Sequence, residues 1–188
     1  MNYDLLKAIN GLAGHSDWVD AIMKFATNYA VPVFAVVLLA MWFAGNEFMK
    51  KTVVYSTISG IVGILMNYLI AKIYFEARPF VTHDDINVLV EHASDASFPS
   101  DHTTGAIALA FAIALRNKKI GWIMMVFALL TGFSRIYVGN HYPGDVLAGI
   151  IVGMVVAFII NKLPSLVNPI ANLIIKIYNN IPLVPKRM

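Results

Sequence analysis

The sequence predicts an all-α fold, a polytopic bundle of membrane-spanning helices, from three observations. Hydrophobic residues make up 59% of the 188 and charged residues 13%, where an average soluble domain has about 45–50% and about 25%. The apolar residues gather into runs near the length a bilayer demands, about 20 residues per helix and fewer where an end is held in protein. Basic residues then collect at one end of those runs and acidic residues at the other. A mean hydropathy of +0.69 excludes disorder. The absence of cysteine excludes disulfides, thiol nucleophiles and Cys-ligated metal. The net charge of +3 forms no basic face for nucleic acid, because it is split along the chain. Residues 1–188 suit one domain.

In chain order, residues 3–20 carry Asp4, Lys7, His15, Asp17 and Asp20 among Leu5, Leu6, Ile9 and Leu12, which predicts an amphipathic helix in the interface. The start has no basic stretch followed by a clean apolar core, so no cleavable signal peptide is expected. Five spans follow, over residues 25–45, 52–75, 103–115, 120–136 and 146–160. The stretch 166–181 is apolar but interrupted by Pro169, follows Pro164 and holds Lys176; an interfacial or partly inserted helix is expected there. The loops after spans one and three, together with the tail, hold Lys50, Lys51, Arg116, Lys118, Lys119, Lys162, Lys176, Lys186 and Arg187, with Glu47 the one acid among them. That side is therefore expected in the cytoplasm. The N-terminus and the regions 76–102 and 135–145 then face outward.

Three clusters of chemistry-bearing residues fall on the outward side: Arg78-Pro79, Pro99-Ser100-Asp101-His102, and Ser134-Arg135 with His141 and Asp145. Ionisable residues at span ends are costly beside hydrocarbon and mark function more often than structure. Taken singly, each is equally well read as a snorkelling charge. His141 and Asp145 stand at i and i+4, so a helix beginning near Pro143 turns both one way. A carboxylate there accepts Nδ1–H and leaves Nε2 as nucleophile or base. Ser100 and Asp101 suit the N-cap of a helix starting near Thr103, whose free N–H groups favour an anion. Arg78 and Arg135 supply two-pronged donors for phosphate oxygens. Together these describe a phosphoryl-transfer site. The competing reading, a metal held by the histidines and Asp145, is opposed by the two arginines. Asp84, Asp85, Glu91 and Asp95 are read as solvated loop charges, and His15, His83 and His92 as surface histidines.

These motifs resemble those of the type 2 phosphatidic acid phosphatase superfamily. The resemblance covers about residues 72–145: Arg78-Pro79 is similar to the end of its first signature, Pro99–His102 to its second, and Ser134-Arg135, His141 and Asp145 to its third. The sequences Phe75-Glu76-Ala77-Arg78-Pro79-Phe80 and Ala96-Ser97-Phe98-Pro99-Ser100-Asp101-His102-Thr103-Thr104-Gly105 are similar to the bacitracin-resistance group of undecaprenyl-diphosphate phosphatases of Gram-positive bacteria. The resemblance implies hydrolysis of a polyprenyl diphosphate in the plasma membrane, with the active site on the extracytoplasmic side and no metal or cofactor. His141 is then the nucleophile and Asp145 its orienting partner, and His102 is the general acid and base. Arg78, Ser100 and Arg135 bind phosphate. The rivals are the same chemistry on phosphatidylglycerophosphate or phosphatidic acid, and a non-enzymatic bacitracin transport component. Two positions depart from the family pattern. The first-motif lysine is expected at 71, which is alanine here; Lys72 is one residue on, rotated by about 100° on a continuous helix, and either joins the phosphate-binding residues by snorkelling or has no part in the site. Asp101 stands where glycine is frequent, and is expected to point away from phosphate. The lipid tail is expected between spans near Gly60, Gly63, Gly105 and Ala106, positions that equally suit close helix packing.

Overall fold

A computed structural model of the chain describes residues 1–181; the cations Lys186 and Arg187 lie outside that range. The described residues form nine helices: α1 (Asn2–Asn10), α2 (Asp17–Asn28), α3 (Ala30–Ala44), α4 (Glu47–Ile73), the short α5 (Pro79–Thr82), α6 (Asp101–Ala114), α7 (Lys118–Tyr137), α8 (Pro143–Asn161) and α9 (Pro164–Asn179). Three of them, α4, α7 and α8, are long and apolar enough to cross a membrane. A fourth span is made if α2 and α3, bent by 60° at Tyr29, count as one. The expected span over 103–115 is α6, which at 14 residues reaches about 21 Å against a hydrocarbon core of about 30 Å.

That short helix is the centre of the bundle. Thr103, Thr104, Ala106, Ile107, Ala108, Ala110, Ala112, Ile113 and Ala114 are all buried, against α4, α7 and α8. Small side chains let those helices close on it. A Cβ added to Gly153 of α8 would meet the Thr104 carbonyl oxygen at 2.8 Å, and one at Gly149 the Ser100 oxygen at 3.0 Å. The outer faces are apolar instead, with Val36, Ile61, Val126 and Ile151 exposed, which is the pattern of helices solvated by lipid.

The expected N-terminal helix over 3–20 is two helices. Gly14, with φ +83°, turns the chain between them, and its N–H is held by the Asp20 carboxylate. Helix α1 docks onto α7 and α8: Leu6 is buried against Ile136, Tyr142 and Val146, and Asn10 Nδ2 donates to the Tyr137 carbonyl at 2.8 Å. At the opposite end of the bundle Arg116 lies over the rings of Phe48 and Tyr55 and Lys50 over that of Tyr178. Lys50 and Arg116 therefore share one end, as their spacing predicts, and α1 covers the other.

Candidate active site

Four segments converge at the α1 end: residue 78 before α5, residues 97–102 leading into α6, the end of α7, and the 138–145 turn into α8. Pro143 opens α8 as expected, which sets His141 just outside the helix and Asp145 in its first turn. Asp145 Oδ2 accepts from the Tyr142 N–H at 2.9 Å and stands 3.3 Å from His141 Nδ1. Ser100 caps α6 and is wholly buried; its N–H donates to the Asp145 carbonyl at 3.1 Å, tying the two helix starts together. Helix α6 begins at Asp101, two residues before the expected start.

Arg78, 4% exposed, is held on every side. Nε donates to Asp95 Oδ1 at 2.8 Å. Nη1 donates to the Asn140 carbonyl at 3.0 Å and to His141 Nε2 at 2.9 Å, and Nη2 to the Ala96 carbonyl at 3.4 Å. Because Nε2 accepts, the His141 proton is on Nδ1, the tautomer the i,i+4 spacing predicts. Burial first, then the Arg135 and Arg78 charges, hold His141 well below the ordinary histidine range, so its imidazole is neutral.

Arg135 is 1% exposed. Its Nη2 meets the side-chain oxygen of Asn140 at 3.3 Å, with the amide turned so that its nitrogen donates to the Val90 carbonyl at 3.1 Å. Its Nε is buried and has no hydrogen-bond partner among the described residues. A buried guanidinium without a carboxylate of its own is costly until an anion reaches it. His102, in the first turn of α6 and half-buried, lies within electrostatic reach of Arg135 and His141, its ring 6.4 Å from that of His92.

Three sequence expectations need correction. The rotation expected for Lys72 requires a helix running on to residue 78, but α4 ends at Ile73 and Tyr74 is extended, so helical geometry does not relate the two positions. Lys72 is exposed, with Nζ 5.2 Å from the Tyr68 ring. His92 is no ordinary surface histidine. It is half-buried beside the site, held below the usual range by burial and by Arg78 and Arg135, with Nδ1 3.6 Å from Asp95. Asp95, read as a solvated loop charge, is the ion-pair partner of Arg78. Asp101 does turn aside: its Oδ1 accepts from Asn67 Nδ2 at 2.8 Å.

Ser97 and Asn140 are site residues that the sequence reading missed. Both are wholly buried, but neither stands at a spacing that carries chemistry. Adjacency to Pro99-Ser100 and to His141 is the one signal that could have drawn attention to them. Among the described residues no three His, Asp or Glu side chains converge in a way that could hold a metal.

Below the site a cavity of about 570 Å³ lies between α3, α4 and α6. Asp101 and His102 line one part of it, and Phe34, Ile61, Ile64 and Leu109 make it apolar. Gly60, Gly105 and Ala106 line it too, whereas Gly63 packs against Thr104 and Ala108. An apolar slot adjoining a cationic pocket suits an amphiphile with an anionic head.

Residues 51–168 match the model of the PAP2 superfamily. The chain is 50% identical over 181 residues to the undecaprenyl-diphosphatase BcrC of Bacillus subtilis (strain 168), covering 96% of this chain and 93% of that protein. It is 32% identical over 160 residues to the bacitracin transport permease protein BcrC of Bacillus licheniformis, covering 85% and 79%. Among solved structures, LpxE of Aquifex aeolicus matches with a TM-score of 0.70 at 24% identity, over 86% of this chain and 94% of that one, a likeness of fold.

Proposed function

The chain belongs to the PAP2 superfamily, and from that premise we propose that it hydrolyses undecaprenyl diphosphate to undecaprenyl phosphate and inorganic phosphate at the outer face of the plasma membrane. The reaction recycles the lipid carrier of cell-wall synthesis and confers bacitracin resistance. The observation that carries this reading is the pair of buried guanidinium groups near a neutral His141, with Arg135 Nε unpartnered among the described residues. Such a pocket fits a phosphoryl group, whose oxygens accept from both arginines.

His141 Nε2 attacks the terminal phosphorus, and the bond from that phosphorus to the bridging oxygen breaks. For this the Arg78 N–H now on Nε2 must pass to a phosphoryl oxygen. Asp145 holds Nδ1–H and stabilises the charged ring of the phosphohistidine. His102 gives its proton to the departing lipid phosphate, then takes one from the water that cleaves the P–N bond. Arg78, Arg135, Ser100 and backbone N–H groups neutralise the charge that gathers on the equatorial oxygens. The prenyl chain lies in the α3–α4–α6 cavity, whose His102 side places the general acid by the head group.

The relative named as a transport permease raises a second reading, binding without hydrolysis. A neutral histidine whose Nε2 accepts from Arg78, with a second buried arginine within electrostatic reach, is an arrangement for covalent catalysis, and transport gives it no task. Phosphate release from undecaprenyl diphosphate by the purified protein in detergent separates the two. Turnover is expected, and it is expected to vanish in His141→Ala; binding without release would support the transport reading.

A further inference from the structure

Ser97 is wholly buried and has no part in the steps above. Its backbone N–H donates to the Glu76 carbonyl at 2.8 Å, which fixes it beside the strand of chain carrying Arg78. Its Oγ lies 2.5 Å from Asp145 Oδ2 and 3.3 Å from His141 Nδ1. We infer that Ser97 is a positioning residue of this reaction, acting through Asp145 and His141 to hold the imidazole for attack. The inference rests on His141 being the nucleophile.

The directions of the protons make the case. An ionised carboxylate only accepts, so the single hydroxyl proton of Ser97 goes to Asp145, and an oxygen lone pair is left facing Nδ1. The Nδ1–H is then shared between Ser97 Oγ and Asp145 Oδ2, each at 3.3 Å. Either contact alone is longer than a usual hydrogen bond of about 2.9 Å, so the pair is needed to define the ring plane. On the far edge of the ring Arg78 donates to Nε2, and the tautomer is fixed from both sides. Asp145 Oδ1 is buried without a hydrogen-bond partner among the described residues; all the orienting contacts fall on Oδ2, from Ser97, Tyr142 N–H and His141. Removing the Ser97 hydroxyl leaves the carboxylate one donor short and free to turn Oδ1 toward the ring. Phosphate binding, which belongs to Arg78, Arg135 and the α6 start, is untouched by that loss.

The test is a double-mutant cycle on the full chain in detergent, with undecaprenyl diphosphate as substrate and thermal unfolding measured for each variant. Ser97→Ala is expected to lower kcat about tenfold or more with KM changed less than about twofold. In an Asp145→Asn background the same substitution is expected to change kcat less than about twofold, because the partner it acts through is already lost. Equal losses in both backgrounds, a loss carried by KM, or full activity in Ser97→Ala would each overturn the inference. Should Ser97→Ala not fold, Ser97→Cys, which keeps the size but donates weakly, makes the same comparison. His141→Ala is assayed alongside. If it stays active the nucleophile reading falls; if it is dead while Ser97→Ala is fully active, the role of Ser97 alone falls.

Discussion

Arg78 and Arg135 are nearly without solvent, Arg78 bonded to His141 Nε2, and their planar donors fit two phosphate oxygens at once where an ammonium offers a point charge. Arg78→Lys and Arg135→Lys are each expected to lower kcat/KM about 10²-fold or more, from about 3 kcal/mol of lost transition-state stabilisation. Lys72→Ala, exposed and turned onto Tyr68, is expected to cost about tenfold at most, with kcat/KM compared at matched stability. The pH dependence follows from His141. Its pKa is lowered by burial, so the neutral nucleophile persists as pH falls through about 6.5 and is lost only below. The acid limb of kcat/KM, corrected for the separately titrated substrate, is therefore expected below 6.5; a limb at 6.5 belonging to His141 would contradict the burial. His141, Asp145 and the arginines were legible in the sequence because their chemistry lies in residue type and short spacing. Ser97, Asn140, Asp95 and His92 were not, because the contacts that recruit them are made by the fold. Ser97 meets Asp145 across 48 residues and Asp95 meets Arg78 across 17.

Helix packing carries the site because α6 and α8 both begin in it, so any displacement of one against the other separates Ser100 and His102 from Asp145. Gly153→Ala puts a methyl group against the backbone of α6 at Thr104 and Ala108, where nothing can yield. It is expected to cost about 1–3 kcal/mol, read as a drop of several degrees in the unfolding midpoint in detergent, with a parallel loss of kcat. Gly60→Ala meets only the end of the flexible Leu109 side chain, at 3.0 Å, and is expected to lower the midpoint much less. The apolar runs made most helices visible in advance, α7 and α8 nearly to their ends and α4 save for its first turn and a half, which carries Glu47, Lys50 and Lys51. The break after Ile73, the bend at Tyr29 and the split between α1 and α2 were harder to read. At Tyr29 the chain bends between Asn28 and Pro32, inside a stretch apolar enough to read as one span, and the α4 end is followed by five non-helical residues with no proline until 79. Hydrophobicity reports the solvent of a segment and says little about where its backbone turns.

At the scale of the molecule, the candidate site lies at the end away from Lys50 and Arg116, the residues that the positive-inside rule assigns to the cytoplasm. A cysteine at the exposed position 84 is expected to react with an impermeant thiol reagent in intact cells, and one at the exposed position 118 is not; the native chain has no cysteine to obscure the result. Labelling at 118 alone would put the site in the cytoplasm. Phosphoryl transfer through His141 is what the proposed function requires of this pocket. Its most direct measurement is a rapid quench of the protein turning over undecaprenyl diphosphate labelled in the terminal phosphate. The expected result is an acid-labile, alkali-stable label on the peptide containing His141, absent in His141→Ala, which also releases no phosphate. An unlabelled protein, with His141→Ala turning over near the native rate, would contradict it.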